Sequence, residues 1–149
     1  MVSVVFDTSV LVSAFLTRHQ PRGVSNELLR FVAEGKIELY LSADIITEAL
    51  ATLVRNRRAQ SNYRYTPQMA EAFCADLFDL ASIIEDPPPT PGAVPRDPDD
   101  DKIIACALAA GTEYVVSRDH DLLSLGAYAG ITMIAPEPLE NSLHRTWRR

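Results

Sequence analysis

The stretch VVFDTSVLVSAF, Val4 to Phe15, sets one carboxylate between two apolar runs. Val2 to Phe6 is short, β-branched and apolar apart from Ser3, the composition of a buried strand. Val10 to Leu16 then reads as a helix. Asp is a poor strand former and is rarely buried without a partner. Asp7 therefore marks the point where a strand gives way to a helix, and raises the question of what pairs with its carboxylate.

The same alternation continues downstream. Pro21 to Glu34 is helical, with Val24, Leu28, Phe31 and Val32 on one face and Gly35 as a stop. Ile37 to Leu41 is a strand. Ser42 can cap the helix ADIITEALATLVR (residues 43–55), and Thr66-Pro67 starts another whose stripe is Met69, Phe73, Leu77 and Leu80. SIIE (82–85) is a short strand. Residues 86–99, DPPPTPGAVPRDPD, hold six of the ten prolines and can be neither helix nor inner strand. Helical DDKIIACALAAG ends on Gly111, strand EYVVS follows, RDHDLLSLG is a helical turn, and ITMIA is the last strand. The tail from about residue 136 reads as irregular.

Strands alternating with helices predict an α/β domain around a parallel sheet, and ligands of such sheets bind beyond the carboxyl ends of the strands. Asp7 lies there. The 149 residues suit a single domain spanning 1–149, and 47% apolar with 23% charged residues is a globular composition. No apolar run approaches the roughly 18 residues of a spanning helix. No Lys or Arg precedes Asp7, which argues against a secretory signal. Cys74 and Cys106 sit in apolar helical patterns as core residues, so a reducing cytoplasm is expected. A net charge of −6 argues against bulk attraction to nucleic acid, though not against a local basic strip.

Four acids sit at starts of, or within, core-like elements: Asp7, Glu48, Asp101 and Asp119. Singly, Asp101 and Asp119 read equally well as helix caps, and Glu48 as half of a surface ion pair. Together they read differently. Carboxylates converging at about 4 Å repel by about 4 kcal/mol per pair at an effective dielectric of about 20, so protons or a cation must intervene. With no His or Cys among them, all-oxygen ligation points to Mg²⁺ or Mn²⁺ rather than Zn²⁺.

The blocks VVFDTS, SADIITEAL, DPDDDKIIACALAAG and YVVSRDHDLL resemble, in order and spacing, the four signature blocks of the PIN-domain family. That resemblance implies a three-layer α/β/α fold with a central parallel sheet. It also implies Mg²⁺- or Mn²⁺-dependent ribonuclease activity with Asp7, Glu48, Asp101 and Asp119 as the acidic quartet, Ser9 as a supporting hydroxyl, and Ser117 where Thr is common. Asp101 is preferred within the run Asp99-Asp100-Asp101 because the family pattern sets the acid just before an xIIAxA helix. Asp100 remains an alternative, and Asp121 an extra ligand. Small members of the family resemble VapC-like toxins, which implies an RNA substrate, a cognate antitoxin and a homodimer.

Arg55, Arg57, Arg58 and Arg64 either guide a phosphate backbone or complement a helix terminus. Tyr63 and Tyr65 are candidate base-stacking residues. Arg145, Trp147, Arg148 and Arg149 read as a frayed tail or a further contact. His120 is at most a neighbour of the site. VVFDTS is also similar to the opening of haloacid-dehalogenase-type phosphatases, but that chemistry needs a second Asp where Ser9 stands. A non-catalytic nucleic-acid-binding or interaction module is the other alternative.

Overall fold

The computed structural model describes residues 1–95 and 97–147. Its elements run β1 (Val2–Phe6), α1 (Thr8–Leu16), α2 (Val24–Ala33), β2 (Ile37–Leu41), α3 (Ala43–Arg55), α4 (Arg57–Tyr63), α5 (Pro67–Leu80) and β3 (Ser82–Ile83). After a 3-10 turn at Pro98–Asp100 come α6 (Asp101–Ala110), β4 (Tyr114–Val116), α7 (His120–Leu125), β5 (Ala127–Tyr128), β6 (Ile131–Ile134) and α8 (Pro136–Trp147). The sheet order is β3-β2-β1-β4-β6-β5, and every pairing is parallel except β5 with β6. Helices cover both faces, giving the expected α/β/α layers.

β1 is the centre of the sheet. Val4, Val5 and Phe6 are fully buried, as expected for a strand hemmed in by helices on both faces. Val5 registers with Tyr40 of β2 on one side and with Val115 of β4 on the other. The chain builds outward from β1 through β2 to β3, then crosses back and builds outward from β4. The strand order thus reverses between β1 and β4, and the crevice beyond their carboxyl ends is where such sheets bind ligands.

Local signals set several boundaries. Ser42 and Thr66 cap α3 and α5 by accepting from the backbone N–H groups of Ile45 and Met69. Gly111 ends α6 in the left-handed region at φ 70°, which glycine enters without steric cost. Ser82–Ile83 is the paired part of the SIIE strand.

Two segments differ from expectation. Residues 136–147 form a helix rather than an irregular tail. Pro136 is tolerated because its missing N–H falls in the first turn, and Leu139 and Leu143, one turn apart, are buried in the core beside α2. Residues 57–63 also form a helix, capped by the Asn56 side chain and anchored by buried Ala59. There Tyr65 is a core residue rather than a stacking platform. Its ring meets Phe15 edge-on at 5.0 Å, and its hydroxyl donates to the Leu53 carbonyl at 2.8 Å. Tyr63 remains exposed. Arg148 and Arg149 lie outside the described residues.

Candidate metal centre

Asp7 extends β1 by one residue, and its N–H bonds the Val116 carbonyl at the end of β4 at 3.0 Å. Its side chain then caps α1. Oδ1 accepts from the Val10 N–H at 3.0 Å and from the Ser9 hydroxyl at 2.6 Å, while Oδ2 accepts from the Ser117 hydroxyl. Each serine is oriented in turn by the chain after β4. The Arg118 N–H donates to Ser9 Oγ at 3.3 Å, and the Asp119 N–H donates to Ser117 Oγ at 2.8 Å. No basic side chain pairs with Asp7 among the described residues. Two hydroxyls and an amide hold a carboxylate that is only 3% exposed. Burial raises its pKa, against the pull of Ser117, Ser9 and the Val10 amide.

Asp119 caps α7 by accepting from the Asp121 N–H at 3.0 Å. Asp100 closes the 3-10 turn and faces the same crevice. Burial, then a hydrogen bond with Asp119 and the charges of Asp119, Asp97 and Asp7, push Asp100 up to about 8. Asp119 is correspondingly held low, first by that same bond. The two carboxyls are coupled, and their mutual repulsion favours a shared proton or a cation between them. Among the described residues, no donor reaches the buried Oδ2 of Asp100. One carboxylate oxygen each from Asp97, Asp100 and Asp119 lies within 4.8 Å of the others.

Asp7, Glu48, Asp97, Asp100 and Asp119 line a single cavity of about 330 Å³, together with Thr8, Ser9, Val12, Thr52 and Ile103. Glu48 enters from α3, and its Oε2 is ion-paired with the Lys102 ammonium on α6. A hard divalent cation fits this donor set. The oxygens are carboxylate, one is buried without a donor, and the proton favoured between Asp100 and Asp119 stands where a cation would neutralise the cluster.

The structure places Asp101, the expected third acid, outside this cavity: its Oδ1 and Oδ2 accept from the Val94 and Gly92 N–H groups at 2.7 and 2.9 Å. Asp100 occupies the position expected of Asp101. Successive residues on a helix differ by about 100° in direction, so a run of three acids cannot aim all of them at one point. Asp121 also faces elsewhere, lining a small cavity with Val94, Pro95, Ser124 and Leu125. Asp97 was missed. The available signal was an Asp directly before Pro98, the cap-and-first-turn pattern already read at Thr66-Pro67. Arg55, Arg57, Arg58 and Arg64 are exposed at the end of α3 and around α4, and none lines the cavity, although Arg55 lies one turn beyond Thr52.

The family model for the PIN domain matches residues 3–121, most of the chain. Among solved structures, the crystal structure of PAE2754 from Pyrobaculum aerophilum superposes with a TM-score of 0.61 at 20% identity, covering 97% of this chain and 90% of that one. At that identity the likeness concerns the fold alone. No curated protein gives a significant sequence match.

Proposed function

This chain belongs to the PIN-domain family, and we propose that it is a Mg²⁺- or Mn²⁺-dependent endoribonuclease. PIN domains are generally metal-dependent nucleases and commonly bind nucleic acid. One observation carries the finer reading: five carboxylates share one cavity at the strand-order reversal, and Lys102 is ion-paired with Glu48 alone among them. Asp7, Asp100 and Asp119, with Asp97 and Glu48 beside them, would hold the ion. A bound Mg²⁺ or Mn²⁺ supplies Lewis acidity at the phosphoryl group and lowers the pKa of water there.

The protein's own groups orient that chemistry. Ser9 and Ser117 fix both oxygens of Asp7, so the carboxylate meets a ligand without first being ordered. The proton that the Asp100–Asp119 pair carries would be displaced by a cation held here. Lys102 is placed to meet a phosphate oxygen beside Glu48. The exposed arginines of α3 and α4 offer a track for a single-stranded backbone approaching from Thr52.

The biological role we propose is the toxin of a toxin–antitoxin pair, silenced by a cognate antitoxin and acting as a homodimer in the cytoplasm. The PIN-domain signature blocks on a small single chain support the toxin role, since many small members of that family are VapC-like. Val54, Tyr63, Met69, Phe78 and Leu80 are exposed large apolar residues on or beside α3 to α5, available to a protein partner singly rather than as one face. Free, buried Cys74 and Cys106 suit a reducing compartment. Among the described residues, no helix is long and apolar enough to cross a membrane.

The test is cleavage of a mixed single-stranded RNA by the purified protein in Mn²⁺, with EDTA, Asp7→Asn and Asp100→Asn as controls. Cutting should occur in Mn²⁺ and vanish in all three controls. Full activity in Asp100→Asn would remove that residue from the site, and folded, antitoxin-free protein that cuts nothing would overturn the nuclease reading.

A further inference from the structure

The proline-rich segment before α6 is tied to the rest of the molecule by Asp101. Its two carboxylate oxygens take the Gly92 and Val94 N–H groups, and its backbone carbonyl takes the Thr90 hydroxyl at 2.9 Å. All three contacts pin residues 90–94 against the first turn of α6. Ala93 and Val94 are buried in the main core, so the pinned end is packed as well as hydrogen-bonded. Between this clamp and α6 lie only residues 95–100. Within that span the Asp97 N–H bonds Val94 O at 3.2 Å, and the Asp100 N–H bonds Asp97 O at 3.0 Å. Asp97 and Asp100 are the two acids that this span contributes to the cavity.

We propose that Asp101 is a positioning residue. Its contacts to Thr90, Gly92 and Val94 fix the residues ahead of Asp97 and Asp100, and so help to present those two acids to the metal centre. Three consecutive acids then have separate work: Asp100 faces the ion and Asp101 faces the loop, while Asp99 donates its N–H to Asp97 Oδ1 at 3.1 Å. The inference rests on the metal-centre reading above. Its chemistry is specific to a carboxylate, since both partners are N–H donors. An Asp101→Asn amide would accept from one of them and oppose the other with its own NH₂.

The experiment is Mn²⁺ titration calorimetry on wild type, Asp101→Asn, Thr90→Val and Asp100→Asn, with amide hydrogen exchange on the metal-free forms. Loss of an orienting partner typically weakens metal affinity about 10- to 100-fold, and Asp101→Asn should fall in that range. Exchange at Gly92 and Val94 should accelerate in Asp101→Asn and stay at the wild-type rate in Asp100→Asn. Thr90→Val removes a clamp contact without touching any acid, and it should weaken Mn²⁺ binding several-fold. It also serves as the test if Asp101→Asn fails to fold.

Asp101→Asn that binds Mn²⁺ as tightly as wild type overturns the proposal. So does a mutant that loses binding as completely as Asp100→Asn while Gly92 and Val94 stay protected, because Asp101 is then a direct ligand. Wild-type protein that takes up no Mn²⁺ overturns the metal centre itself and this role with it, an outcome distinct from failure of the clamp alone.

Discussion

The proton on Asp100 makes metal binding and pH measurably dependent on each other. Its carboxyl is pushed up to about 8 by burial and by Asp119, so the acidic pair should hold a proton through neutral pH. A cation must displace it. Mn²⁺ binding should therefore release a sizeable fraction of a proton near pH 7, and less as pH rises past about 8. Apparent affinity should rise with pH through neutrality, then level off above about pH 8. Titration calorimetry in two buffers of different ionisation enthalpy measures the released protons directly. The metal-free fold should respond in the opposite sense. An acid whose folded pKa is raised stabilises the fold fully below its unfolded value, and that stability is lost as pH rises through the folded value. Metal-free protein should accordingly melt at progressively lower temperature between about pH 4 and about pH 8, with Mn²⁺ removing most of the slope. Binding that releases no proton at pH 7 would refute the shared-proton description of Asp100 and Asp119.

Other consequences follow from named contacts. Ser117→Ala removes the donor to Asp7 Oδ2 and the acceptor for the Asp119 N–H, both buried or nearly so. It should cost about 1–3 kcal/mol in urea unfolding and weaken Mn²⁺ binding. Glu140 on α8 is pushed up to about 7 by burial, by its hydrogen bond with Glu27 and by the charges of Glu27 and Glu137. Stability should therefore fall as pH rises from about 4.5 through about 7, and Glu140→Gln should flatten that segment of the thermal-melt profile; an unchanged slope would exclude the pair. Leu143, 2% exposed, ties α8 to the core. Leu143→Ala should cost about 2–5 kcal/mol by denaturant unfolding, and a cost within 0.5 kcal/mol of zero (about the spread for surface sites) would mean that α8 is not part of the cooperative unit.

Much of the fold was legible because its signals are local. A β-branched run ending at Asp7 can be read from a window of ten residues, and so can the caps at Ser42 and Thr66 and the stop at Gly111. Their hydrogen bonds reach two to four residues along the chain, and the backbone period decides which side chains share a face. The convergence of Asp7 and Asp119 was legible one level up, since parallel strands carry their carboxyl ends to a common edge.

What the tertiary structure decided is direction and burial across distant segments. Three adjacent acids are equivalent in composition, and only the phase at which α6 leaves the 3-10 turn sends Asp100 to the acidic cavity and Asp101 to the amides of Gly92 and Val94. Tyr65 stands among arginines in the sequence, yet Phe15, fifty residues earlier, supplies the surface that buries it. The last segment, with two prolines and few apolar residues, carries little helical signal of its own. It becomes α8 because α2 and the core offer Leu139 and Leu143 a place to bury. Propensity acts over a few residues and contributes tenths of a kcal/mol, whereas burying one leucine contributes about 2 kcal/mol, so where the two disagree the packing wins.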